Sequence, residues 1–347
     1  MRVALDAQLA VGTATGIGEY ARGLVDALRA AGDVDVVPLD HRSFDPWRFD
    51  RRVIWDQVML PRAARAARVD LLHCASGTMP LWHPAPIVVT VHDVAWLRVQ
   101  AHTRLYARAY FGKFALSQYR RARRVMVDSA FSGEELAALA GIERERIDVV
   151  YPGVAADVIG ISRKPDAHPF ILVAATVEAR KNLAVVIRAL RELPGVGLIS
   201  TGPSTPYRAE CEALADRLGV RDRIEFRGYV PRDELLDLYA RAAVVAVPSI
   251  YEGFGYGAAW AMCCGAPLVA ANSSALPEVV GSAAPLVPPG DDAAWVVAIA
   301  GLLQERANAE ARATAARGPA IARFSWPAAG AAAIESYRRA MQEGRGR

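Results

Sequence analysis

Short apolar runs alternate with amphipathic stretches along the whole chain, the pattern expected of parallel strands joined by crossover helices. In the first half, strands are expected at residues 3–5, 34–38, 71–73, 87–91, 124–127 and 147–150, with helices at 18–31 and 132–140. Around 161–169 the pattern lapses into Ser, Arg, Lys, two Pro and Asp, which reads as a linker. A fresh set follows, with strands at 170–174, 197–200, 224–228, 244–247, 267–270 and 285–287. Its helices are expected at 184–192, 207–218, 232–242, 257–264 and 292–316, and a last helix at 326–342 follows a break. The pattern predicts an α/β chain of two doubly wound domains in tandem, 1–163 and 168–324, with 325–347 as a terminal helix. Ligands of such sheets sit beyond the carboxyl ends of the strands, and two such ends are expected to face each other across a cleft.

Composition narrows this reading without changing it. A chain of 347 residues exceeds one usual core, and 53% hydrophobic with 22% charged residues marks a folded globular protein. The net charge of +4 is too mild for a generic nucleic-acid binder. Cys74, Cys211, Cys263 and Cys264 have no metal-ligand spacing, and the adjacent pair cannot bond without strain, so all four read as small buried residues. The first residues lack a signal peptide's apolar stretch, and no run approaches the ~20 residues of a membrane span. A cytoplasmic protein is expected, with the option of lying at the inner face of the membrane.

That option comes from residues 94–127, which contain no acidic residue. Arg98, Arg104, Arg108, Lys113, Arg120, Arg121, Arg123 and Arg124 interleave there with Tyr106, Tyr110, Phe111, Phe114 and Tyr119. Such a segment suits an anionic lipid surface or an anionic acceptor, although a solvated helix face with core aromatics has the same pattern.

Four segments carry candidate chemistry. Gly12, Gly16 and Gly18 lie between the first strand and its helix, where backbone amides and a helix N-terminus suit an anion. Their spacing is neither the dinucleotide fingerprint nor a P-loop, and a plain flexible turn fits equally. His92 and Asp93 end an apolar run, placed either to meet a substrate hydroxyl or to satisfy each other. Arg180 and Lys181 follow the first strand of the second half. Only three of the 41 Lys and Arg residues are lysines, and two adjacent cations opening a helix suit a pyrophosphate. Glu252 stands among Gly253, Phe254, Gly255 and Tyr256 after another apolar run, as a helix cap or a partner for hydroxyls. Asp33 and Asp35 form an Asp-x-Asp but read as a solvated turn, and Asp291–Asp292 reads as a helix N-cap.

In order and spacing these segments resemble the retaining glycosyltransferases of family four, over almost the whole chain. The matching stretches are 16–20, 92–93, 127–132, 151–154, 178–183, 228–235, 248–255 and 276–281, with Phe324-Ser325-Trp326 opening the last helix. The resemblance implies a GT-B fold, an acceptor-binding first domain, a donor-binding second domain, and a terminal helix returning to the first. It implies that Arg180 and Lys181 hold the donor pyrophosphate, helped by Gly16 and Gly18, and that backbone at Tyr229 and Val230 meets the nucleobase. His92 and Glu252 would contact donor-sugar hydroxyls near Phe254 and Gly255. His92, Asp93, Ser129 and Ser132 would line the acceptor side. No cofactor or metal is implied. The sugar would keep its anomeric configuration as the acceptor hydroxyl attacks the face that the nucleoside diphosphate leaves. The stretch 92–96 looks most like mannosyltransferases, so GDP-mannose is the favoured donor, with rhamnosyl and UDP-sugar donors left open, and a surface glycan, lipopolysaccharide or lipid-linked acceptor is the expected partner.

One departure matters. The family motif places a second Glu eight residues after the first, and this chain has Trp260 there. An indole donates one hydrogen bond and accepts none, so it cannot replace a carboxylate that binds ribose hydroxyls. A non-catalytic sugar-nucleotide-binding or assembly protein is therefore the alternative expectation. An NAD-dependent dehydrogenase lacks its fingerprint here, and a pyridoxal-phosphate phosphorylase lacks a recognisable lysine motif.

Overall fold

The computed structural model describes residues 1–11, 16–44, 48–83, 85–98 and 109–343. All twelve expected strands are present, in two parallel sheets of six. The first holds β1 (Arg2–Asp6), β2 (Asp35–Leu39), β3 (Leu71–Cys74), β4 (Ile87–Val91), β5 (Arg124–Val127) and β6 (Ile147–Val149), in the order β2-β1-β3-β4-β5-β6. β3, β4 and β5 are buried at every position, which is why their sequences are mostly apolar and not alternating, with His73, Thr90 and Arg124 as buried, hydrogen-bonded exceptions.

The second sheet holds β7 (Phe170–Ala174), β8 (Gly197–Thr201), β9 (Ile224–Gly228), β10 (Val244–Val247), β11 (Leu268–Ala271) and β12 (Leu286–Val287). Its order, β12-β11-β10-β7-β8-β9, is the Rossmann arrangement. The order in which strands are added reverses between β7 and β10 here, and between β1 and β3 in the first sheet. The loops leaving those strands splay apart, and that is where such sheets take ligands.

The chain divides into two compact units, Met1–Gly153 with Ser325–Arg347, and Val154–Phe324. The expected linker is not a loose connection. Residues 154–163 belong to the second unit, and backbone amides of Lys164 and Asp166 donate to the carbonyls of Ala240 and Arg241. Arg163 adds bonds to the carbonyls of Tyr239, Ala240 and Ala242 and an ion pair with Glu310. The helix Trp326–Gln342 packs in the first unit against the helix Gly16–Ala31. Trp326 lies over Gly23 and Gly153, where any Cβ would fall within 2.1 to 2.3 Å of its ring.

Two helical readings change. The expected helix 292–316 is two helices, Asp292–Gln304 and Arg306–Arg323, because Glu305 leaves helical geometry at ψ 41°. A helical stretch over residues 49–66, interrupted by a π turn at Trp55–Met59, has no counterpart in the sequence reading. The four cysteines are buried and unbonded. Asp33 and Asp35 pair with Arg338 and Arg2, and the Asp291 side chain caps its helix. Among the described residues no helix is long and apolar enough to cross a membrane.

Candidate functional site

In the second unit, the loops after β7 and β10 bring Arg180, Lys181 and Glu252 together at the strand-order reversal. The two cations lie in a 3₁₀ turn, Ala179–Lys181, that ends at Asn182 with φ 54°. Asn tolerates that left-handed geometry better than most residues, and its side-chain amide donates to the carbonyls of Pro248 and Pro289. The Ile250 amide donates to the Arg180 carbonyl, which ties the two loops together.

Lys181 Nζ lies 2.6 Å from Glu252 Oε1, and Ser249 Oγ donates to the same oxygen at 2.7 Å. Arg180 Nη1 is 3.7 Å from Glu252 Oε2, while its Nε pairs with Glu178 at 2.8 Å. Burial alone would raise the Glu252 pKa, but Lys181, with Arg180 and Ser249, holds it below the ordinary carboxyl range. Two cations thus face two carboxylates, and the cluster is neutral.

The Glu252 amide donates to Ser274 Oγ, and Ser274 is itself at φ 50°. Asn182 and Ser274 are two of the three non-glycine residues with positive φ among the described residues. Backbone strain of about 1–3 kcal/mol per residue persists where the surroundings impose it, commonly at functional sites. Gly255, at φ 105°, opens the helix Tyr256–Cys264, and a Cβ there would strike Leu276 at 2.7 Å. Beyond β9, Tyr229 is 69% exposed and Val230 is buried. Trp260 is 8% exposed, with its ring centroid 5.6 Å from that of Tyr239 and the Arg232 guanidinium 5.1 Å over it. Asp157 pairs with that guanidinium through both carboxylate oxygens.

In the first unit, Gly12 lies outside the described residues, and the helix opens at Gly16, beside which a Cβ would meet nothing. Gly18 is buried in its first turn. His92 follows β4 and makes two contacts: Nδ1 is 2.7 Å from Asp128 Oδ2, and Nε2 is 3.0 Å from the Ala75 carbonyl oxygen. Its partner is Asp128, which the sequence reading missed, and not the adjacent Asp93, which caps the next turn through Ala95 N. Ser129 caps the helix Ala130–Ala140 by accepting from the Ser132 backbone amide, and both serines are buried. Nearby, the buried Arg52 binds Asp6, Asp56, Ser76 and Thr78 beneath the reversal between β1 and β3.

The basic segment is largely engaged within the fold. Arg98 pairs with Glu135, Arg120 and Arg121 donate to backbone carbonyls, and Arg124 is buried against Asp148. Arg104, Tyr106 and Arg108 lie outside the described residues.

A family model described as "Glycosyltransferase Family 4" matches residues 14–158, and one described as "Glycosyl transferases group 1" matches 157–318. The chain belongs to glycosyltransferase family 4. Among curated members it is similar to the D-inositol 3-phosphate glycosyltransferase of Mycolicibacterium smegmatis, 35% identical over 241 residues, 65% of this chain and 55% of that protein. The chain spans about half the length of the curated relatives it matches. Among solved structures, the sucrose-phosphate synthase of Thermosynechococcus elongatus aligns with 99% of this chain and 100% of its own at TM-score 0.76 and 23% identity. HepE from Anabaena, in complex with UDP and glucose, aligns with 97% of this chain and 99% of its own at TM-score 0.76 and 19% identity. The family 4 member described here thus has the GT-B fold, with two Rossmann-like units.

Proposed function

We propose that the chain is a retaining, metal-independent glycosyltransferase that takes its sugar from a nucleoside-diphosphate donor. The observation that carries this is the Arg180–Lys181–Glu252 cluster at the strand-order reversal of a Rossmann-ordered sheet. Arg180 and Lys181 would hold the diphosphate and Glu252 would turn to the sugar hydroxyls. The exposed Tyr229 would offer the base a stacking face beside the Val230 backbone. Arg180 and Lys181 are the groups that would take the place of a metal on the phosphates, exchanging their bonds to Glu178 and Glu252 for the ligand.

The donor and acceptor are the finer part of the proposal. The stretch 92–96 favours a mannosyl donor, and GDP-mannose with a glycan or lipid-linked acceptor follows from it. The UDP complexes of HepE and the inositol phosphate named for the curated relatives add UDP-sugars and a phosphorylated polyol to the candidates. The proposal extends to contact of segment 98–124 with an anionic lipid surface, which cosedimentation with anionic vesicles would test. The deciding assay runs UDP- and GDP-sugars against inositol phosphate and lipid-linked glycan acceptors, with excess chelator present. Product anomeric configuration is read by NMR. Turnover of no nucleotide-sugar, or turnover abolished by chelator, overturns the corresponding part.

A second reading, a sugar-nucleotide-binding protein without activity, is favoured by Trp260 held between Arg232 and Tyr239. It predicts nucleotide binding without transfer in the native chain, and transfer gained in Trp260→Glu.

A further inference from the structure

The His92 ring has an acceptor at each nitrogen. A backbone carbonyl oxygen cannot donate, so the Nε2 that faces Ala75 at 3.0 Å must carry a hydrogen. The Nδ1 that faces Asp128 at 2.7 Å then either carries a second hydrogen or accepts one from a protonated carboxyl. In both cases the pair holds one proton more than a neutral imidazole beside a carboxylate would need. Asp128 is 4% exposed, and its second oxygen, Oδ1, is buried with no hydrogen-bond partner among the described residues.

We propose that Asp128 is a positioning residue that fixes His92 as a doubly protonated imidazolium, so that His92 serves the transfer as a fixed cation and not as a base. The proposal rests on the glycosyltransferase reading and adds to it the state of the ring. A cation held in a mostly buried site needs no rearrangement when negative charge develops on a reacting group, and its effect is greater there than in water. With Oδ1 unpaired, the His92 ring is the one side-chain hydrogen-bond partner of Asp128 among the described residues, so the carboxylate is directed at Nδ1 alone.

The groups around the ring agree. Tyr20, from the helix Gly16–Ala31, stands edge-on at 4.7 Å, and burial keeps its phenol neutral. His73 on β3 is pushed down to about 3 by burial and by the charge of His92, and is neutral. Asp93 adds a second negative charge beside the ring. Burial opposes the charged ring, but Asp128 outweighs it and His92 titrates above its ordinary value. Burial raises Asp128 as well, so the shared proton persists over a wider pH range than either residue would hold it alone.

The test uses the full chain labelled with ¹⁵N-histidine, His92→Gln assigning the ring and nucleoside diphosphate binding serving as a control. At pH 7.5 both ring nitrogens of His92 should give imidazolium shifts, and in Asp128→Asn they should move to a neutral tautomer. Transfer by Asp128→Asn should fall about 10²-fold at that pH and recover as the medium is acidified below the ordinary histidine value. Asp128→Glu should keep most of the rate. A neutral ring in the native chain at pH 7.5, or a wild-type rate and pH profile in Asp128→Asn, overturns the proposal. If the native chain turns over no nucleotide-sugar, the glycosyltransferase reading fails, and the ring's protonation still decides this one.

Discussion

Lys181 and Glu252 form a mostly buried ion pair whose worth depends on both members being present. Removing one partner of such a pair leaves a desolvated charge, which costs more than the pair contributes. Lys181→Met should therefore weaken nucleoside diphosphate binding by about 1.5–3 kcal/mol, the value of a charged hydrogen bond, measured by titration calorimetry. The same variant has a pH signature. Glu252 is held below the ordinary carboxyl range in the folded chain, so its contribution to stability is complete above that range and lost as pH falls through the folded value. Without Lys181, burial dominates and the sign reverses, since protonation then relieves an unpaired carboxylate. The stability gap between wild type and Lys181→Met should thus be widest near pH 7 and narrow toward pH 4 in urea unfolding. A gap that is constant with pH would mean the pair carries no such energy. Arg180 and Lys181 were legible as adjacent cations at a helix start, and Glu252 as a charge beside glycines after a strand, and both patterns leave a local trace. Asp128, 36 residues from His92, leaves none, since only the adjacency of β4 and β5 joins them. Asn182 did leave a signal, because an Asn before a helix tolerates positive φ, but its role depends on carbonyls 66 and 107 residues away.

The helix Trp326–Gln342 is seated by shape. Its Trp326 ring fills the space over Gly23 and Gly153, and Gly330 lies against Ala27 with 3.1 Å available for a Cβ. Gly23→Ala should then displace the ring and cost about 1–3 kcal/mol, the usual penalty of overpacking, read from the urea midpoint of the first unit. Gly301, inside the helix Asp292–Gln304 with open space around it, is the control. Gly301→Ala should stabilise by roughly 0.5–1 kcal/mol through helix propensity alone. If both changes were neutral, close packing would not be what holds the terminal helix. Strands were legible as elements because a parallel strand buried on both faces is mostly apolar, with only isolated polar residues such as His73 and Arg124. The helical stretch over 49–66 was not, because its inward positions include Arg52 and Asp56, four residues apart and both buried. They face Asp6, Ser76 and Thr78, so residues that read as solvent-facing are in fact core. The split at Glu305 was hidden for the opposite reason, since the Ala-rich stretch is a good helix former on both sides of the break.

At the scale of the molecule, the first unit is closed by residues that come last in the chain. Tyr337 meets His73 Nδ1 at 2.7 Å, and His73 Nε2 meets Thr90 at 2.7 Å, a buried chain linking the terminal helix to β3 and β4. Ser336 donates to Asp148, which also pairs with Arg124, so β5 and β6 are tied to the same helix. Loss of this helix would uncover Ile334 and Tyr337, each worth about 1.5–3 kcal/mol of burial, and would take the Tyr337 hydroxyl from His73 Nδ1 and the Ser336 hydroxyl from Asp148. That sum is comparable with the whole 5–15 kcal/mol margin of an ordinary domain. The second unit, Val154–Phe324, contains its own sheet, its own core and the Arg180–Lys181–Glu252 cluster. A chain ended after Phe324 should accordingly lose the first unit and keep the second. Its amide NMR spectrum should show dispersed resonances for 154–324 and collapsed ones for the rest, with nucleoside diphosphate affinity within about threefold of the full chain, a difference under 1 kcal/mol. Dispersed signals from both units would mean that the terminal helix is an accessory to the first sheet. Loss of both would mean that the second unit depends on the first for its stability, and that donor binding is a property of the whole chain.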